Sequence, residues 1–194
     1  MSLVKGESRR VHFLRMWLFG AAFTARSVTI FAVARGIGAP ARALVASSTR
    51  VAIALPILLI AIVLDSYSLR YKRMCPLTAR RQTPKMVYNA HGSGRAALVW
   101  GLDAGLVFTT YRMSSISWAL LLLGVLGVAP WWTGLAYALG FVATLWIGCT
   151  FGGHLTGDGT ALAIALSERR SVPRVACLGV LAISVVAFGR AYWK

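Results

Sequence analysis

Apolar residues in this chain fall into long runs that short polar or basic stretches separate. The runs cover residues 11–34, 43–64, 95–129, 131–151 and 175–193. A helix needs about 20 apolar residues to cross the hydrocarbon core of a bilayer, and each run except the third is close to that length. The pattern predicts an all-α polytopic integral membrane bundle of five transmembrane helices.

The third run, residues 95–129, is 35 residues long and has a polar middle at residues 109–117. One interpretation is a broken helix, since an interrupted backbone at membrane depth is tolerated only where protein or a cavity satisfies its polar groups. The alternatives are a tight hairpin and an overlong tilted helix. Two crossings in this run would give six spans and would place the C-terminus inside the cell.

Composition excludes an ordinary soluble domain. Hydrophobic residues make up 58% of the chain and charged residues 13%, with a mean hydropathy of +0.69, whereas soluble domains carry about 25% charged residues. The net charge is +16, but the basic residues gather beside the apolar runs instead of forming a nucleic-acid-binding face. We therefore expect the lipid bilayer as a partner and no nucleic acid.

The distribution of Lys and Arg predicts an orientation. Basic residues concentrate at residues 5–15, 70–95 and 169–174, and such clusters stay on the cytoplasmic side of a membrane. With five spans and a cytoplasmic N-terminus, 14 basic residues lie inside and 4 lie outside. The sequence thus predicts a multi-pass protein of the cell membrane with a basic cytoplasmic loop at residues 66–94 and an external C-terminus.

Charged residues within the apolar runs are candidates for function, because intramembrane ions are rare and are usually paired or functional. The helical rise places Arg26 near the bilayer centre and Asp103 ~12 Å from the inner face. These depths predict an Arg26–Asp103 ion pair, either structural or lining a cavity. Arg50 is a second candidate partner for the carboxylate, and Arg112 lies within the third run.

Asp103 belongs to the sequence Gly101-x-x-x-Gly105. Small residues one turn apart allow another helix to approach closely, which would enclose the carboxylate, although helix packing alone is the usual meaning of this pattern. A buried carboxyl group can transfer protons, so Asp103 and Tyr111 form a candidate acid–base pair.

His154 and Asp158 are a second candidate pair. Their i, i+4 spacing would place them on one face of a helix, where they could act in acid–base catalysis or bind a metal together with Cys149. Glycines at positions 152, 153, 157 and 159 favour a flexible polar turn instead. We therefore predict no metal site here.

The three cysteines, Cys75, Cys149 and Cys177, form no C-x-x-C pair. In the five-span topology they lie on or near the cytoplasmic side, where thiols stay reduced, so we expect ordinary free thiols. The sequence contains no Walker loop, no zinc-protease motif and no dinucleotide fingerprint. No cofactor is expected.

Several short motifs between residues 80 and 145 carry a family resemblance. They are Arg80-Arg81-Gln82-Thr83-Pro84, Gly101-x-x-x-Gly105-Leu106, Thr109-Thr110-Tyr111 and Gly134-x-x-Tyr137-x-x-Gly140. Together they resemble the second half of the DsbD/CcdA superfamily of membrane thiol–disulfide electron carriers. The resemblance implies a bundle with a broken helix, normally of six spans in two three-helix repeats. The family's Pro-Cys pair has no counterpart at residues 110–115, and the first run lacks the matching cysteine, so a shared fold without the redox chemistry is expected.

Three functions fit these observations. The first is a membrane subunit of a hetero-oligomeric complex, which helps to form a membrane-embedded site with a second protein subunit. The second is a membrane-bound enzyme subunit that performs acid–base chemistry on a peptide substrate, for example peptide epimerisation. The third is a DsbD/CcdA-like thiol-redox carrier or a small-molecule transporter.

Overall fold

The computed structural model describes residues 9–71, 86–106 and 114–156, together with residues 177–180, 182–183, 185–186 and 190. Its helices are α1 (Arg9–Ile37), α2 (Ala39–Leu44), α3 (Ser47–Arg70), α4 (Met86–Gly105), α5 (Ile116–Leu126) and α6 (Thr133–Thr156). The described residues from Cys177 onward are also helical. Across these ranges the chain contains helices and no strands, which confirms the predicted all-α class.

Within the described residues, two helices are long and apolar enough to cross a membrane. Phe13–Ile37 of α1 has 25 residues and a mean hydropathy of 1.5, and Ser47–Arg70, the whole of α3, has 24 residues and a mean hydropathy of 2.2. Only 28% of the most apolar part of each helix is buried inside the structure, and large apolar side chains such as Val33 and Val63 are exposed. The apolar segments Ile116–Leu126 and Thr133–Thr144 are shorter.

α1 is the central helix and packs closely against α4. Gly101 faces Phe19 and Gly105 faces Phe23, so the two helices run in the same direction. A Cβ atom on Gly101 would collide with the carbonyl oxygen of Phe19. The two glycines therefore permit the close helix approach that the G-x-x-x-G pattern predicts.

Aromatic side chains join α1 to α6. The rings of Phe23 and Phe141 stack with their centroids 4.3 Å apart, and the rings of Trp17 and Trp146 meet edge to face at 4.6 Å. Because the lower-numbered residue of α1 meets the higher-numbered residue of α6, these two helices are antiparallel.

α5 continues the course of α4 along α1. Gly124 of α5 lies near Phe31, and Arg35 donates a hydrogen bond to the carbonyl oxygen of Ala129 just beyond α5. α4 and α5 therefore both run parallel to α1 and lie against successive parts of it. This arrangement favours a broken helix over a hairpin for residues 95–129.

α3 packs antiparallel to α5, since Arg50 contacts Leu126 and Asp65 contacts Ser115. Small and aliphatic residues of the two helices form a buried core together with Ala129: Ala54, Leu58, Ala61, Ala119 and Leu123. Val185, which is partly buried, packs against this core. The contact of Val185 brings the last helical segment into the same core.

The helices extend beyond several predicted boundaries. Residues 66–70 and 86–94, assigned from the sequence to the basic loop, are helical, while residues 72–85 of that loop lie outside the described ranges. α6 continues through Gly152 and Gly153 to Thr156, so the turn predicted at His154 is wrong. A helix satisfies its own backbone groups, and here this outweighs the low helix propensity of glycine.

Candidate functional site

Asp65, in the C-terminal part of α3, is a buried acidic side chain that is only 2% exposed. Its carboxylate accepts a hydrogen bond from the backbone N–H of Ser115 at 2.7 Å and another from the Ser115 hydroxyl at 2.8 Å. The Ser114 hydroxyl donates a third hydrogen bond to the same carboxylate. The carboxylate is therefore held on both oxygens by the segment that precedes α5.

These donors are available because they lie at the start of α5. Ser115 is the N-cap residue of α5, so its backbone N–H has no partner within the helix. Ser114 accepts a hydrogen bond from the N–H of Ile116 at 3.1 Å, which satisfies a further group of the first turn. A negative carboxylate at this end also complements the positive end of the helix dipole. Asp65 thus caps α5 from a neighbouring helix.

Cys177, in the last helical segment, completes the polar cluster at this helix break. Its thiol interacts with the Ser114 side chain by a hydrogen bond and with Asp65 electrostatically. We name Asp65, Ser114, Ser115 and Cys177 the aspartate cluster. It joins α3, the helix break and the last segment at one point.

The space beside the aspartate cluster is small. A cavity of about 100 Å³ reaches Ser115, and the rest of its lining is apolar, including Ile57, Leu64 and Trp118. Sites for small molecules are usually cavities of about 300–1,000 Å³. The described geometry of the cluster therefore suits the joining of helices and gives no room for a peptide substrate.

Arg26 lies near the middle of the 25-residue segment Phe13–Ile37, and its side chain is exposed. Its stem lies against α4, since a Cβ atom on Gly105 would be 2.8 Å from the Cβ of Arg26. Gly105 is two residues beyond Asp103, which is half-buried on the same helix. The structure brings the two helix segments together as the depths predict, and the Arg26–Asp103 ion pair itself stays a prediction.

Arg50 lies at a different level from Asp103. It is in the first turn of α3, where its Nη1 donates to the carbonyl oxygen of Leu126 at 3.3 Å. The role predicted for Arg50 is corrected accordingly, because it satisfies a carbonyl at the end of α5.

Two further arginines act on the same helix end. Arg35 donates to the carbonyl oxygen of Ala129 at 2.9 Å, and Arg42 donates to that of Val125 at 3.1 Å and to that of Arg35 at 2.6 Å. The last carbonyls of a helix lack partners within it and carry the negative end of its dipole. We name Arg35, Arg42 and Arg50 the arginine cluster.

The other predicted site residues are distributed as follows. Tyr111, Arg112 and Asp158 lie outside the described residues, so their roles stay predictions. His154 lies in the last turn of α6, and its side chain is outside the described set. Where the structure describes side chains, no group of three His, Cys, Asp or Glu residues could hold a metal ion.

Asp65 is not among the site residues predicted from the sequence, because it stands where the second apolar run ends. A signal was nevertheless present in the helical spacing. The buried positions of α3 are Ala54, Leu58, Ala61, Asp65 and Ser68, which follow one another at intervals of three or four residues. An acid at a position that continues such a stripe is on the buried face of the helix.

No family model, curated protein or solved structure matches the chain.

Proposed function

We propose that this chain is a five-span integral membrane protein and a subunit of a hetero-oligomeric membrane complex. Helix directions support five crossings. α1 and the consecutive helices α4 and α5 run one way, while α3 and α6 run the other way. The last segment passes from the level of Asp65, at Cys177, to the core cluster, at Val185. It therefore runs parallel to α5 and supplies the fifth crossing.

The observation that carries the subunit function is the exposure of Arg26. Its guanidinium is on the outside of the structure at the middle of α1, the most costly depth for a charge in a bilayer. Charged groups at this depth face a bundle interior, a cavity or another protein rather than lipid. A partner helix packed against the α1–α4 edge would cover Arg26.

The same edge indicates what the partner contributes. Arg26 carries five N–H donors and no acceptor, and a pair with Asp103 would use at most two of them. We therefore expect the partner to present further carboxylate or carbonyl oxygens at that depth. Asp103 lies on the adjacent helix and would line the same interface. In this function the pair Arg26 and Asp103 forms one wall of a membrane-embedded site that the partner completes.

The experiment is co-purification from native membranes in a mild detergent. We expect a second polypeptide to co-elute with the wild-type chain and with Arg26→Lys, which keeps the charge. Arg26→Leu should lose the partner, and the fraction of the chain that still folds, although smaller, should remain monodisperse. Arg70→Leu is the matched control. This exposed arginine lies at the end of α3, where its charge can reach the aqueous boundary of the bilayer, so it should not be needed for assembly.

Two results would refute the subunit function. One is purification of the wild-type chain as a folded, monodisperse protein with no second polypeptide in the eluate. The other is partner retention by Arg26→Leu equal to that of the wild type, which would remove Arg26 from the interface.

A further inference from the structure

A groove opens at the end of the bundle opposite to the N-terminus of α1. It has a volume of about 470 Å³ and lies between the end of α1, α2 and the start of α6. Arg35 and Arg42 supply its charged lining, while Val28 and Leu135 belong to its apolar lining. None of the described residues that line it is acidic. The groove is therefore positive at one part of its wall and apolar at another.

The two guanidinium groups are held in fixed positions. Nη1 of Arg35 donates to Ala129, and Nη1 of Arg42 donates to Arg35 and Val125. A guanidinium carries five N–H donors in a planar fork that matches the oxygens of a phosphate. Backbone bonds to one nitrogen orient each fork beside the groove at little further entropic cost on binding.

Two tryptophans border the same groove. Trp131 is 79% exposed and Trp132 is 50% exposed, although large aromatic side chains are normally well buried. Exposed tryptophans in membrane proteins lie at the level of the lipid headgroups. Their position beside Arg35 and Arg42 places the groove at the boundary between headgroups and acyl chains.

We propose that this groove binds a phospholipid with an anionic headgroup. The phosphate is held by Arg35 and Arg42, and the start of an acyl chain lies along Val28 and Leu135. The apolar wall favours a lipid over free phosphate, and a described lining with two arginines and no acidic residue favours an anionic over a zwitterionic headgroup. This inference rests on the membrane location within the proposed function and is independent of the partner subunit.

The test is native mass spectrometry of the purified chain in detergent, with titrated phosphatidylglycerol, phosphatidylcholine and diacylglycerol. We expect phosphatidylglycerol to bind most tightly and diacylglycerol, which lacks phosphate, to bind least. Arg35→Gln should weaken phosphatidylglycerol binding about tenfold, as expected for the loss of one hydrogen bond to a charged group. Trp131→Ala should also weaken it, and since this side chain is mostly exposed the variant should fold. Arg70→Gln serves as the control and should bind as the wild type does.

Three results would overturn the proposal. Equal binding of the three lipids would show that the headgroup is not recognised. Competition by millimolar inorganic phosphate that fully displaces the lipid would assign the groove to a free anion. Unchanged phosphatidylglycerol binding in both Arg35→Gln and Trp131→Ala would place the lipid elsewhere on the protein. A wild-type chain that purifies without a partner subunit but still binds the lipid would refute the proposed complex alone.

Discussion

Replacement of Asp65 by leucine is the most direct test of the helix break. Leucine keeps the branching at Cγ but removes the acceptor for all three hydrogen bonds of the carboxylate. The backbone N–H of Ser115 would then be buried without this acceptor, since Ser115 and Asp65 are almost completely buried. The two serine hydroxyls can rotate toward other acceptors, whereas the N–H cannot.

The expected loss of stability is about 3 kcal/mol. An unpaired buried N–H costs ~1–3 kcal/mol, and each hydroxyl bond within a membrane contributes ~0.6 kcal/mol on average. Loss of the negative charge at the start of α5 removes up to ~1 kcal/mol more. Asp65→Asn retains one carbonyl oxygen and should lose only about 1 kcal/mol, the size of one neutral hydrogen bond.

The assay is reversible unfolding in mixed micelles, followed by circular dichroism at increasing denaturing detergent. Ser66→Ala is the matched control, because Ser66 is the exposed neighbour of Asp65 and surface substitutions usually change stability by less than about 0.5 kcal/mol. A loss below 1 kcal/mol for Asp65→Leu, or equal losses for Asp65→Leu and Asp65→Asn, would refute the capping role.

Three further predictions concern topology and packing. A reporter fused to the C-terminus should be active only outside the cytoplasm, and cytoplasmic activity would favour six spans. Arg26→Leu and Asp103→Leu should each lower folded yield, and the double variant should recover part of it; simple additivity in the yields would mean that the residues are not partners. Gly101→Ala should destabilise the protein by ~1–3 kcal/mol in the same unfolding assay, because its methyl group meets the backbone of α1. Gly140→Ala is its control, since a side chain there meets nothing within 4 Å, and a loss equal to that of Gly101→Ala would contradict the packing.

The helices of this fold were largely predictable from the sequence because apolar runs near 20 residues leave few alternatives. The predicted runs at residues 11–34 and 43–64 correspond to α1 and α3, and the run at 131–151 corresponds to α6. Helix ends were less predictable. The polar residues after each run read as loop, yet α3 continues to Arg70 and α6 to Thr156, since backbone hydrogen bonding extends a helix beyond its apolar part.

The candidate site was less predictable than the fold because it depends on contacts between distant residues. The depth calculation brought Arg26 and Asp103 to the same helix contact, since α1 and α4 are parallel and pack at Gly105. It misplaced Arg50, because depth alone does not say which helix lies beside α3. The partners of Asp65 are some 50 residues away in sequence, and only the tertiary structure identifies them.

The aspartate and arginine clusters supply hydrogen-bond partners to the backbone groups at the two ends of α5. α5 has 11 residues and is therefore about 16 Å long, roughly half the hydrocarbon thickness. In the proposed membrane location, at least one of its ends lies at membrane depth, where unpaired backbone groups are costly. Asp65 meets the N–H groups at its start and Arg50 a carbonyl at its end. Both belong to α3, at a separation of ~22 Å along the helix, which matches α5 with its two caps. The antiparallel helix α3 thus supplies a negative group to the positive end of α5 and a positive group to its negative end. This arrangement allows the span to break without leaving the ends of α5 unsatisfied.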